Sequence, residues 1–173
     1  MNSTLQMEGI RMVPESSKCP DAYIMVGIPG SGKTTWAVEK SREGPVHVAL
    51  DVFRAEVYGR IPLHLDNQLE KKVWEKADKL AVEKLGNENS VIIDSMALTR
   101  DFRYSLMRRL ERRSNTEIRW TAVFVNTPLE IALQRNRNRG KHVLDEVIRD
   151  LSRHLQPPDR NEGFFNIIVV HCR

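Results

Sequence analysis

One octapeptide sets the limits on what this chain can fold into. Gly27-Ile28-Pro29-Gly30-Ser31-Gly32-Lys33-Thr34 follows the apolar run Ala22-Tyr23-Ile24-Met25-Val26 and leads into Thr35-Trp36-Ala37-Val38. A buried strand, a glycine-rich turn and a helix therefore come in direct succession, and the spacing G-x-x-x-x-G-K-[ST] is that of a phosphate-binding loop. Glycines in such a loop take backbone angles closed to other residues, so consecutive N–H groups turn inward around phosphate oxygens at the start of the helix. Lys33 then reaches the β and γ oxygens of a nucleoside triphosphate, and the Thr34 hydroxyl is offered to Mg²⁺. The nucleotide-contacting stretch is Gly27, Ile28, Pro29, Gly30, Ser31, Gly32, Lys33, Thr34 and Thr35.

The rest of the chain agrees with an α/β architecture. Short apolar or β-branched runs at Tyr23 to Gly27, Val46 to Leu50, Val91 to Asp94, Arg119 to Val125 and Asn166 to Val170 alternate with helical patterns. That alternation predicts a central, mostly parallel five-stranded sheet with helices on both faces. Leu69, Val73, Ala77, Leu80, Ala81 and Leu85 recur at helical spacing and mark one long amphipathic helix, and Leu144, Val147, Ile148, Leu151 and Leu155 mark another, both read as core-facing. Thr127-Pro128-Leu129-Glu130 predicts a helix start with Thr127 as its cap.

At 173 residues the chain suits one domain of ordinary size, so donor and acceptor sites must share it. Residues 22–173 are expected to form that domain, and residues 1–21, polar and without the apolar segment of a secretory signal, a loosely ordered leader. No apolar run approaches the roughly 18 to 20 residues needed to span a bilayer, so no membrane partner and a cytoplasmic location are expected. The formal charge of +4 is mild. The arginines nevertheless cluster at Arg100, Arg103, Arg108, Arg109, Arg112 and Arg113, and again at Arg135, Arg137 and Arg139, as a polyanionic partner or a solvated helix face would require. The five histidines show no metal-binding pair and are read as structural or surface residues.

Ligands of open α/β sheets bind beyond the carboxyl ends of the strands, which singles out polar residues at the strand tips. Asp51 follows the second run, with Arg54 one helical turn later. A hydroxyl acceptor needs a carboxylate to orient and deprotonate it, and Asp51 has that position; the alternative is a helix cap with Arg54 as its ion-pair partner. Arg54 can hold an anionic part of the acceptor through two parallel hydrogen bonds. Asp94 ends the third run, where an acid binds Mg²⁺, directly or through water, or else orients Arg54 or caps the following turn. Ser95 follows as an acceptor contact or as an ordinary strand-end turn residue, and Arg103 on the next helix is counted among the acceptor contacts. Arg135-Asn136-Arg137-Asn138-Arg139-Gly140 suits a cationic lid, spanning about residues 135–143, that closes over a phosphoryl group.

Taken together, G-x-x-G-S-G-K-T-T, D-x-x-R after the second strand, I-I-D-S, and R-N-x-x-R-G resemble the kinase domain of bacteriophage-type polynucleotide 5′-hydroxyl kinases, over Ala22 to Val170. The resemblance implies a single-domain P-loop kinase fold with a helical lid. It implies that Lys33 and Thr34 serve ATP and Mg²⁺, that Asp51 is the general base, and that Arg54 binds an acceptor phosphate. It further implies that Arg139 contacts the phosphoryl group in flight, that Arg135 supports the lid on the nucleotide side, and that Val143 touches the terminal base. The D-x-D motif of the phosphatase fused to many such kinases is absent, so no phosphatase activity is expected. The expected function is ATP-dependent phosphorylation of 5′-hydroxyl ends of DNA or RNA. Its rivals are a kinase of small metabolites or nucleotide sugars, and a regulatory ATP-binding module without transfer. Composition and motif leave the oligomeric state open.

Overall fold

The computed structural model describes residues 19–60, 65–139 and 143–171. Five strands form one sheet: β1 (Asp21–Val26), β2 (Val46–Ala49), β3 (Val91–Asp94), β4 (Arg119–Asn126) and β5 (Asn166–His171). Every pairing is parallel and the order is β2-β3-β1-β4-β5. From β1 the chain goes to the edge at β2, returns to fill the gap at β3, then crosses β1 to β4 and β5, so the connections leaving the neighbouring strands β1 and β3 run in opposite directions. A parallel sheet leaves a crevice at the carboxyl ends of the strands at that reversal, and the glycine loop leaves β1 there.

Six α-helices complete the layers: α1 (Lys33–Ser41), α2 (Leu50–Tyr58), α3 (Asn67–Gly86), α4 (Arg100–Ser114), α5 (Leu129–Arg137) and α6 (Asp145–His154). On one face α1 packs through Ala37 and Trp36 onto Met25, Ile92 and Val123. On the other, Val73, Ala77, Ala81 and Leu85 of α3 join Leu106 and Leu110 of α4 over Ile24, Val48 and Ile93. Both faces are thus covered, and β1 is a near-continuous apolar run because water reaches neither of its sides.

Four details differ from the sequence reading. The first strand begins at Asp21 instead of Tyr23, and the Asp21 carboxylate takes both hydrogen bonds of a fork from Arg119 at 2.7 and 2.9 Å; residues 1–18 lie outside the described ones. Leu50 opens α2 instead of closing β2, because its buried side chain packs in the helical layer. The stripe on α6 is core only in part: Ile148 is buried, whereas Leu144 is 62% exposed. Thr127 does not cap α5, whose first flanking residue is Pro128; its hydroxyl instead donates to Ser31 O at 2.8 Å inside the glycine loop.

Candidate functional site

The glycine loop is tied to both strands that flank β1. Gly27 N donates to Met96 O at 3.1 Å, beyond the tip of β3, and Thr127 holds Ser31 O from beyond the tip of β4. Close packing explains the glycines. A Cβ at Gly30, whose φ is +83°, would stand 2.2 Å from Ala132 O on α5, and one at Gly27 would stand 2.8 Å from Ser31 Oγ. The loop therefore lies close against its surroundings, and α1 begins immediately after it at Lys33, with Gly32 as an N-cap that offers no side-chain acceptor to the first-turn N–H groups. Thr34 and Thr35 are exposed on that first turn.

Lys33 is 9% exposed, and its ammonium donates to Ile28 O at 2.9 Å. Burial pushes its pKa down to about 8, against the opposing field of Asp94; Arg139 adds to the lowering and Asp51 counters it. Three residues distant in sequence thus share one electrostatic neighbourhood with Lys33: the tip of β3, the start of α2, and the segment after α5.

Asp94 is held by His47, whose Nε2 lies 3.0 Å from Asp94 Oδ2, with side chains 18% and 8% exposed. Asp51 accepts from Arg54 Nη1 at 3.0 Å in the first turn of α2 and is itself exposed. Arg54 is anchored from its other edge by Glu70 of α3, with Nε to Oε1 at 3.0 Å and Nη2 to Oε2 at 2.9 Å. The two carboxylates outweigh the desolvation of this guanidinium and hold its pKa above the ordinary arginine value. Among the described residues, each terminal nitrogen of Arg54 has a second N–H beyond these contacts, enough to meet one further anion. Asp94 therefore does not orient Arg54; Glu70 does. Ser95 Oγ is buried with no hydrogen-bond partner among the described residues.

At the end of α5 and just beyond it, Arg135 and Arg139 are exposed, and Arg139 N donates to Asn136 O at 3.2 Å. Arg137 points elsewhere, to Asp145. Buried Asn136 pairs with the backbone of Val143 in both directions, Nδ2 to O at 2.7 Å and N to Oδ1 at 3.0 Å, stapling the two ends of the segment together. Gly140, Lys141 and His142 lie outside the described residues.

One expected acceptor contact is corrected. Arg103 is fully buried and forms a two-toothed ion pair with Glu162 at 2.6 and 2.7 Å; its Nη1 donates to the backbone of Ala97 and Gln156. A guanidinium so enclosed braces the core and has no face left for a substrate. Val143 is half-buried and packs against the edge of the cluster of Ile28, Leu98, Ala132, Leu133 and Ile148. The α4 arginines are also largely spoken for: Arg109 and Arg113 converge on buried Asp78 at 2.6 and 2.8 Å, and Arg108 reaches Glu111.

Sequence reasoning missed His47 and Glu70. Glu70 carries no local signal, since its partner lies 16 residues away across a helix-to-helix contact. His47 had one: it is the only polar residue in Val46-His47-Val48-Ala49, two positions before the strand tip.

The AAA domain family AAA_33 matches residues 23–158. No curated protein matches the chain. Among solved structures, a sugar kinase from Janibacter sp. HTCC2649 superposes with a TM-score of 0.62 at 20% identity, over 88% of this chain and 85% of that one. A chain of the Pnkp1/Rnl/Hen1 RNA repair complex gives 0.67 at 21% identity, over 83% of this chain but only 46% of its own. The APS kinase CysC of Mycobacterium tuberculosis, in complex with AMPPNP and APS, gives 0.54 at 17% identity, over 69% of this chain and 70% of that one. Identities this low speak to the fold, while the family match spans most of the chain: it belongs to the AAA_33 family of AAA domains, with a P-loop kinase-like fold.

Proposed function

We propose that this protein is a phosphotransferase that moves the γ-phosphate of ATP to an alcohol, and that the alcohol is the 5′-hydroxyl of a DNA or RNA strand. What supports the reading is the electrostatic neighbourhood of Lys33, whose ammonium feels Asp94, Arg139 and Asp51, so that acids and a further cation act on the lysine of the glycine loop. The order of motifs from the glycine loop to Arg139 favours the polynucleotide acceptor.

In this reading the first-turn N–H groups of α1 and the Lys33 ammonium hold the β and γ phosphates. Asp51 accepts the proton of the incoming hydroxyl as the bond to phosphorus forms, and Arg54, fixed by Glu70, offers its remaining N–H groups to an anionic part of the acceptor. Arg139 adds positive charge where the phosphoryl group is in transit. Transfer of this kind has a loose transition state, so positioning and charge neutralisation supply most of the acceleration.

The donor set fits Mg²⁺. Thr34 and Asp94 are hard oxygen donors beside the cradle, and among the described residues there is no cluster of three or more His, Cys, Asp or Glu that would hold a cation without a nucleotide. Bound there with ATP, the ion would neutralise charge on the β and γ oxygens.

A second reading is a kinase of a small metabolite. It is favoured by the consumption of the α4 arginines in internal ion pairs, which leaves less positive surface for a strand. Labelled ATP incubated with matched 5′-hydroxyl DNA and RNA oligomers and a panel of sugars separates the two, with Asp51→Ala as control. Label on the oligomers, falling steeply as salt rises, supports the polymer acceptor. Label on a sugar alone sinks it, and ATP binding without transfer to any acceptor returns the protein to a regulatory nucleotide-binding role.

A further inference from the structure

We propose that His47 is a positioning residue of the nucleotide site: it holds the Asp94 carboxylate off Lys33 and so keeps the ammonium available to a triphosphate. The inference rests on the ATP-binding reading above.

Strand register places the two side chains together. Ala49 of β2 is the partner of Asp94 and His47 the partner of Ile92, so alternation along parallel strands puts His47 and Asp94 on one face, two positions apart. That face is the one α1 covers, since Ile92 packs with Ala37 and Trp36. An ionised carboxylate only accepts, so the 3.0 Å contact is an Nε2–H donation to Oδ2.

Lys33 is the group this restrains Asp94 from. Among the charges acting on the Lys33 ammonium, that of Asp94 is the largest, yet the ammonium's hydrogen bond goes to Ile28 O at 2.9 Å. Opposite charges attract strongly where water is excluded, and a carboxylate left to rotate would close onto the ammonium. The resulting ion pair would compete with the phosphates for Lys33. The imidazole prevents this by occupying Oδ2 and fixing the side-chain torsions, with both partners largely enclosed. Hydrogen-bonding partners of this kind orient functional carboxylates in many sites.

The test is a double-mutant cycle on ATP affinity, measured by calorimetry in EDTA so that no divalent cation enters. His47→Leu is expected to weaken ATP binding on the order of tenfold, the usual size of coupling between residues in contact. His47→Gln, which keeps an N–H near the Nε2 position, is expected to retain wild-type affinity. In an Asp94→Asn background, where no ion pair with Lys33 can form, adding His47→Leu is expected to change affinity less than twofold. A histidine that merely supports the fold would cost the same affinity in both backgrounds, and that result overturns the proposal. So does an unchanged affinity in His47→Leu alone. Wild-type protein that binds no ATP overturns the nucleotide-site reading itself, a failure distinguishable from the other two.

Discussion

Removing the Lys33 charge should stabilise the empty protein while abolishing its grip on ATP. The pKa of Lys33 falls from 10.5 to about 8 in the folded state because the ammonium is buried. A pKa displacement of one pH unit corresponds to about 1.4 kcal/mol, so below pH 8 the folded state carries a penalty of about 3 kcal/mol for this one group. The sign follows from proton counting. Between pH 8 and 10.5 the unfolded chain keeps the proton that the folded chain has lost, so stability rises with pH across that window and is flat, as far as this group is concerned, below it. Lys33→Met keeps most of the stem and discards the charge. It also forfeits the hydrogen bond to Ile28 O, worth about 1 kcal/mol, leaving a net gain of about 2 kcal/mol at pH 7. In a chain of this size that gain corresponds to a rise in melting temperature of roughly 4 to 8 °C. Melts of both proteins at pH 7 and pH 10, without nucleotide, give the comparison. The gain should shrink at pH 10, where the wild-type lysine is already neutral when folded. A variant less stable than wild type at pH 7, or a difference unchanged between the two pH values, would refute the argument that desolvation dominates at Lys33. ATP affinity in EDTA should correspondingly drop about tenfold between pH 7.5 and pH 9 in the wild type, as the ammonium is lost.

Asp51→Asn should lower turnover by about 10² to 10⁴ while ATP affinity, read by calorimetry, stays within twofold, as removal of a general base requires; a proportional loss of ATP binding would return Asp51 to a structural role. Arg103→Ala should cost about 3 to 5 kcal/mol in denaturant unfolding, because it strands the Glu162 carboxylate in the core. If that variant unfolds like wild type, the brace is not what the 2.6 Å contact suggests. Gly30→Ala should fail to bind ATP even where it folds, since a Cβ 2.2 Å from Ala132 O must push the glycine loop off α5; unchanged ATP affinity would show that the loop yields without losing its shape.

Much of the fold was readable from local pattern. Strands buried on both faces leave apolar runs that need no partner to be recognised, and each of the five was located to within two residues. The glycine loop was readable because backbone geometry alone dictates its composition. The pairings that fix side chains were not. Arg103 looked like a member of a basic surface, and only Glu162, 59 residues on, turns it into core. Thr127 had the local signature of a cap, but Ser31 O, 96 residues back, offered its hydroxyl a buried partner. His47 and Glu70 acquire meaning only once adjacent strands and packed helices bring Asp94 and Arg54 to them. Patterns of polarity report which face of an element is dry; they carry little about which of many distant polar groups meets it there.

The Arg103–Glu162 pair also bears on how the molecule is made. On a ribosome the arginine emerges well before its acid, and until residue 162 has left the exit tunnel, seating that guanidinium would maroon a cation in an oily interior. Helix α4 therefore reaches its final seat on the sheet only once the segment carrying Glu162 has docked beside it, so the middle of the architecture waits on a partner made 59 residues later.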